Sequence, residues 1–138
     1  MKTIYDVSEV INNRIIKPGS VIYTAGNAAT PQVILKQLGD DHSIQHIALY
    51  SVLLLGDQFS SLFSEERCRE LTHRIIFNSS LTREVVNRGY AKYHPMHLSE
   101  IPKYAKQSEG FDIVFLTVAG PDNGVNYSLG TTVEGVFA

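Results

Sequence analysis

The run Gly26-Asn27-Ala28-Ala29-Thr30-Pro31 follows directly on the apolar β-forming stretch Val21-Ile22-Tyr23-Thr24-Ala25 and has the residue types of a ligand-holding turn. Backbone N–H groups at the start of a helix lack intrahelical partners and carry the positive end of the dipole, so such a turn favours anionic or oxyanionic groups. Thr30 suits the N-cap and Pro31 the first helical position. Small residues at Gly26, Ala28 and Ala29 let a ligand or a neighbouring segment approach the backbone. A purely structural turn uses the same residues, and local composition leaves both readings open.

Other chemistry-bearing side chains make weaker constellations. His94 and His97 have a spacing that could share a helical face, but Pro95 breaks that geometry and no third ligand stands nearby, so no metal site is expected. Cys68 lies among Glu65, Glu66, Arg67, Arg69 and Glu70, where mixed charges do not lower a thiol pKa strongly; a buried or bystander thiol is expected rather than a nucleophile. Glu100 fits the start of a helix, where its charge complements the dipole. Arg83 reads as a solvated or ion-paired residue on an amphipathic helix.

The elements that must position these residues alternate between strand and helix. Ile4, Val7, Val10, Ile11 and Ile15 recur at helical spacing and predict an amphipathic helix ending before Pro18. After the Val21 strand comes a helix from Thr30 that Gly39 can end. Residues 47–55 are uniformly apolar, as in a central parallel strand buried on both faces. Further helices are expected over 64–72, 81–88 and 99–107, with strands over 74–77, 93–98 and 111–118 and a turn at 120–124. Repeated β-then-α units imply an α/β fold: an open, mostly parallel sheet with helices on both faces. In such sheets ligands sit beyond the carboxyl ends of the strands, here expected at Gly26-Asn27, Gly56-Asp57 and Ala119-Gly120.

With 138 residues, 43% hydrophobic and 19% charged, the chain fits one globular domain. Lys and Arg total 12 against 14 Asp and Glu, without a basic run or stripe, which argues against nucleic acid. No stretch approaches the ~20 apolar residues of a membrane helix, and the N-terminus lacks a signal-peptide core. A cytoplasmic location is expected, and the single Cys68 fits a reducing compartment. Thr131-Thr132-Val133-Glu134 has the pattern of a capping box opening a helix. Ala138 leaves that helix only a turn or two, so further chain is expected beyond it.

Taken in order, Gly26-Asn27-Ala28-Ala29-Thr30-Pro31, the segment from Phe77 through Thr82-Arg83-Glu84-Val85-Val86-Asn87-Arg88-Gly89, Leu98-Ser99-Glu100-Ile101-Pro102, and Pro121-Asp122 with Tyr127-Ser128-Leu129-Gly130 resemble one family. It is the N-terminal domain of the acetyl-CoA hydrolase/transferases, class I CoA-transferases that include 4-hydroxybutyrate CoA-transferase. The resemblance runs from about Pro18 to the end. It implies a sugar-phosphate isomerase-like and CoA-transferase-like α/β fold in two similar domains, of which residues 1–138 match the first. The implied activity moves CoA between an acyl-CoA and a small carboxylic acid through a glutamyl-CoA thioester. That glutamate belongs to the second domain, so no catalytic residue is expected in this chain and the chain alone is expected to be inactive. CoA and acyl-CoA enter as substrates rather than as a covalently held cofactor, and the expected partner is a C-terminal CoA-transferase domain, with a homo-oligomer as a further option.

On this resemblance Gly26, Asn27, Ala28 and Thr30 form a wall of the substrate pocket, with Ser51, Ser128 and Gly130 as additional lining residues. Relatives commonly carry a second glycine where Asn27 stands. Its amide either meets a substrate carboxylate or carbonyl, or simply occupies a left-handed turn, which asparagine tolerates. A small-anion-binding module and a non-catalytic oligomerisation module of the same fold are the alternatives.

Overall fold

The computed structural model describes residues 4–107 and 110–137. Five parallel strands, β1 (Val21–Thr24), β2 (Ala48–Ser51), β3 (Thr72–Ile75), β4 (Lys92–Tyr93) and β5 (Ile113–Phe115), form one sheet in the order β4-β3-β2-β1-β5. Thr24, Ser51 and Ile75 align across its middle, and Thr24 pairs with Phe115 on the other side. The chain steps outward from β1 to β4, then returns to add β5 on the opposite flank of β1. That reversal makes the carboxyl end of β1 the switch point of the sheet, where an open α/β fold leaves a crevice.

Strand alternation divides the core. Ile22, Leu49, Ile75 and Phe115 share one core with Leu35 and Leu38 of α1 (Gln32–Asp40), Cys68 of α2 (Glu65–Glu70), Val85 of α3 (Arg83–Asn87), and Phe59 and Leu62 in the turn that precedes α2. Tyr23, Tyr50, Val52 and Ile76 face the other way, against Ile101 and Tyr104 of α4 (Ile101–Gln107) and against Phe111. The second face is aromatic and polar-tipped, with Tyr50 and Tyr104 sharing a hydroxyl hydrogen bond of 2.9 Å. Burial, followed by that bond, raises the Tyr50 pKa to about 12.

Several expectations are corrected. Residues 4–15 form no long helix; a single 3-10 turn, Val7–Glu9, is capped by Asp6, and the Asn12 side chain accepts from the N–H groups of Arg14 and Ile15, an Asx turn that outcompetes the helical ladder. Gly39 is not a stop: α1 runs to Asp40, and a Cβ on Gly39 would lie 2.6 Å from Ser61 Oγ and 2.8 Å from Leu62 N, so the residue serves close packing. The apolar stretch 47–55 is strand only to Ser51. Val52 and Leu54 stay buried as the chain leaves the sheet, so burial outlasts β structure there. The strand expected over 111–118 is shorter, β5 alone, and lies at the sheet edge with Val114 exposed. Ala119–Asp122 (β6) and Asn126–Ser128 (β7) make a separate exposed antiparallel hairpin whose turn places Asn123 and Gly124 at positive φ.

The expected helices over 64–72, 81–88 and 99–107 appear as α2, α3 and α4. Ser64 caps α2 by accepting from Arg67 N. Glu100 opens the last of them, accepting from His97 N at 2.8 Å.

Candidate functional site

Three loops meet at the carboxyl end of β1. Asn27 N–H donates to Leu53 O at 2.7 Å, Ala25 N–H to Phe115 O at 2.9 Å, and Thr117 N–H to Ala29 O at 3.1 Å. Gly26 is required by this closeness, since a Cβ there would lie 2.6 Å from Leu53 O. The expected strand ends shift accordingly: the residues after β2 and β5 are Val52-Leu53 and Leu116-Thr117, while Ala119-Gly120 belong to the hairpin.

Thr30 is not the N-cap of α1; Pro31 holds that position, and a 3-10 turn, Asn27–Ala29, intervenes. The Thr30 hydroxyl donates to Asn27 O at 2.8 Å and accepts from Leu55 N–H at 3.2 Å, while its carbonyl accepts from Thr117 Oγ1 at 3.3 Å. Buried Thr30 thereby ties all three loops together, a stronger structural role than capping one helix.

The residue that fills the crevice comes from the far end of the chain. Glu134 Oε2 accepts from the Tyr23 hydroxyl and from Gly26 N–H, both at 3.1 Å, and its Oε1 accepts from Asn27 Nδ2 at 2.9 Å. Asn27 has φ 49° and Glu134 φ 42°, both left-handed. The capping box expected at Thr131–Glu134 is therefore absent. Glu134 begins a 3-10 turn (Glu134–Phe137) and turns its carboxylate onto Gly26 and Asn27 instead. A Cβ on Gly135 would lie 2.4 Å from Ile101 Cγ2, so only glycine allows this close return. Burial first, then the charge of Glu134, pushes the Tyr23 pKa upward, which keeps its hydroxyl protonated and donating.

Asn27 thus occupies a left-handed turn and also commits its side-chain N–H to Glu134. Ala28 is exposed beside it. Ser51 is fully buried on the α1 side of β2, its hydroxyl without a partner among the described residues. Ser128 ends the exposed hairpin and Gly130 follows it, also exposed, its N–H donating to Ser128 Oγ at 3.1 Å. The structure brings Gly26, Asn27, Ala28 and Thr30 into one loop; among the described residues no hydrogen bond joins Ser51, Ser128 or Gly130 to it. Tyr23 and Glu134 escaped the sequence reading. The signal was a tyrosine in an apolar strand directly before Gly26, together with the Glu134-Gly135 pair that allows a tight approach.

Elsewhere, burial raises the Cys68 thiol to about 11, which removes it as a nucleophile near neutral pH. His94 stacks edge-on against Tyr50 and Tyr104. His42, Glu66 and Glu70 stand close enough to share an ion, but Glu70 is already bonded to His42 at 2.9 Å and to Arg67 at 2.6 Å.

The parallel sheet with helices on both faces is the architecture of RipA from Yersinia pestis, which superposes with a TM-score of 0.78 at 21% identity over 91% of this chain and 31% of that one. A mutant form of RipA gives 0.74 at 22% identity over 86% of this chain and 29% of that one. Over residues 1–138 the chain matches the model of the acetyl-CoA hydrolase/transferase N-terminal domain, and it belongs to that family. A succinyl-CoA:acetate/propanoyl-CoA:succinate CoA transferase from Fasciola hepatica is 27% identical over 124 residues, 86% of this chain and 25% of that protein. The chain spans about a quarter to a third of the length of these relatives. Among the described residues no helix is long and apolar enough to cross a membrane.

Proposed function

We propose that this chain is the N-terminal domain of a two-domain CoA-transferase and supplies one wall of the site where CoA passes between an acyl-CoA and a small carboxylic acid. The observation that carries this reading is the crevice at the end of β1, placed at the switch point of a sheet whose family handles CoA thioesters. Gly26, Asn27, Ala28 and Thr30 form the wall, with Ser51, Ser128 and Gly130 as outlying contributors. A glutamate of the second domain attacks the thioester carbonyl, expelling CoA thiolate and forming an acyl-glutamyl anhydride. The thiolate then attacks the glutamyl carbonyl, which releases the acyl group as a free carboxylate and leaves a glutamyl-CoA thioester. An incoming acid reverses the two steps.

In this reading Val118, Val125, Tyr127 and Val133, all exposed around the hairpin, serve as the apolar surface on which the second domain docks. The reaction takes place in the cytoplasm. The test is exchange of isotopically labelled acetate into acyl-CoA. The 138-residue chain alone is expected to show none, and addition of a C-terminal half in trans restores exchange. Absence of exchange despite demonstrated docking of the two halves overturns the proposal. The intact mass of the protein as its native cell makes it then decides whether the two halves share one chain.

A further inference from the structure

Every polar atom that the crevice turns toward Glu134 is a neutral donor: the Tyr23 hydroxyl, the Gly26 N–H and the Asn27 amide. No lysine, arginine or histidine forms an ion pair with Glu134 among the described residues. The backbone is bent for this contact. Glu134 takes φ 42°, a conformation unfavourable for a residue with a side chain, and Gly135 passes too close to Ile101 for any Cβ. Gly135 N–H also reaches the Tyr23 hydroxyl at 3.4 Å, completing a short chain of donors that ends on the carboxylate. Part of the molecule is thus strained to place one carboxylate at the switch point of the sheet.

We propose that Tyr23, Gly26 and Asn27 form a receptor for a small monocarboxylate, and that Glu134 is its internal ligand, which a free carboxylate replaces. This rests on the crevice being a wall of the substrate site and narrows the ligand. Three neutral donors arranged around two oxygens match a single carboxylate, whereas phosphate is normally met by a cation or a long helix N-terminus. On replacement the incoming carboxylate takes over the same three hydrogen bonds, no covalent bond changes, and Glu134 is freed from its left-handed conformation. Occupancy by Glu134 lowers the apparent affinity for the free acid by the fraction of molecules in which the crevice is open.

The test is a titration of the full chain with sodium acetate, following the Gly26 backbone and Asn27 side-chain amide resonances by NMR, with inorganic phosphate as the contrasting anion. Acetate is expected to shift both resonances and phosphate neither. Glu134→Gly removes the resident carboxylate at a position whose φ suits glycine, and is expected to tighten acetate binding about tenfold if the native crevice is open about a tenth of the time. Gly135→Ala evicts Glu134 through the clash with Ile101 and is expected to act in the same direction. Asn27→Gly, made in the Glu134→Gly background so that no internal ligand competes, keeps the turn but removes a donor and is expected to weaken acetate about fivefold. Equal acetate affinity in the native chain and the folded Glu134→Gly and Gly135→Ala variants overturns Glu134 as the internal ligand while leaving the crevice as a carboxylate wall. Absence of any acetate-dependent shift at Gly26 and Asn27 in native and variant chains overturns both.

Discussion

Two side chains of opposite charge are drawn into the molecule, and their surroundings differ in kind. Arg67, fully buried, spends all five guanidinium N–H positions: two on Leu38 O at 3.1 and 2.7 Å, one each on Ile44 O at 2.8 Å and Asp41 O at 3.1 Å, and one on the Glu70 carboxylate at 2.6 Å. Those carbonyls lie at and beyond the C-terminal end of α1, where the helix lacks acceptor partners and carries negative partial charge. The Arg67 environment is closed, neutralised and specific to the shape of a guanidinium. Glu134 rests on three neutral donors, without a counter-charge among the described residues, at an open strand end. One site can hold only the group that built it, and the other can exchange its occupant for a chemical equivalent. A structural charge is recognised by completeness of its partners, a functional one by their generality.

The sharpest way to break this contrast is Arg67→Met. It leaves four carbonyl contacts and Glu70 without their donor, and breaking a buried ionic network of this kind costs about 3–5 kcal/mol. Urea titration is expected to show a chain unfolded or far less stable, and Arg67→Lys, with three donors in place of a planar fork, to rescue little. A midpoint close to the native one in either variant would mean that Arg67 is not what seals this face.

His73 offers a smaller lever in the same region. It is fully buried against Phe63, and neither ring nitrogen has a hydrogen-bond partner among the described residues. Burial first, then the charge of Arg67, lowers its pKa to about 4; the Leu62 backbone offsets a lesser part without meeting hydrogen-bond geometry. In the unfolded chain the ring takes up its proton near pH 6.5, whereas the folded chain resists until about pH 4. Stability from the neutral ring is therefore complete above pH 6.5, is lost as pH falls from 6.5 toward 4, and levels off below. The loss amounts to about 3 kcal/mol. His73→Leu is expected to flatten this part of the stability profile, and an unchanged slope would assign the acid sensitivity to other groups.

Much of the frame was legible because it follows from local patterns. Alternating apolar strands and capped helices give a parallel α/β sheet, and Gly26 through Thr30 marks its principal strand end. Arg67 was not legible, because a charged residue in a charged helix reads as a solvated one until α1 is seen to end above it. Glu134 was misread for a related reason. Thr131 to Glu134 satisfies the spacing of a capping box, yet three donors more than a hundred residues away outcompete the backbone groups that a local cap would offer. The N-terminal segment failed in the same manner on a smaller scale, where Asn12 diverts two N–H groups from a helix its neighbours favour. Sequence patterns describe partners close in the chain, and the candidate site is built mainly from partners far apart.

Tyr23→Phe probes the open site with a milder change. It removes one donor from Glu134 and the acceptor of Gly135 N–H while preserving the ring that packs on Phe111. The loss expected in a denaturation midpoint is about 1 kcal/mol, the net worth of one partly buried hydrogen bond. A loss as large as that of Arg67→Met would place Glu134 among the structural charges and end the contrast.

The smallest effect is expected from Asn27→Gly, where conformation and hydrogen bonding pull in opposite directions, and its contrast with Asn27→Ala is the most discriminating. Replacement by glycine gives up the bond from Nδ2 to Glu134 but relieves a side chain held at φ 49°, so the two changes nearly cancel and stability moves by no more than about 0.5 kcal/mol. Replacement by alanine gives up the same bond and retains a Cβ in the left-handed region without asparagine's local hydrogen bonding, at a cost of about 1–2 kcal/mol. If the two variants match in stability, the left-handed turn is not what holds this loop, and Glu134 is then its principal tether. If they differ as expected while, in the Glu134→Gly background, acetate affinity falls in both, the backbone supplies the loop's shape and the asparagine amide supplies its recognition of carboxylate, which is the division of labour an exchangeable site requires.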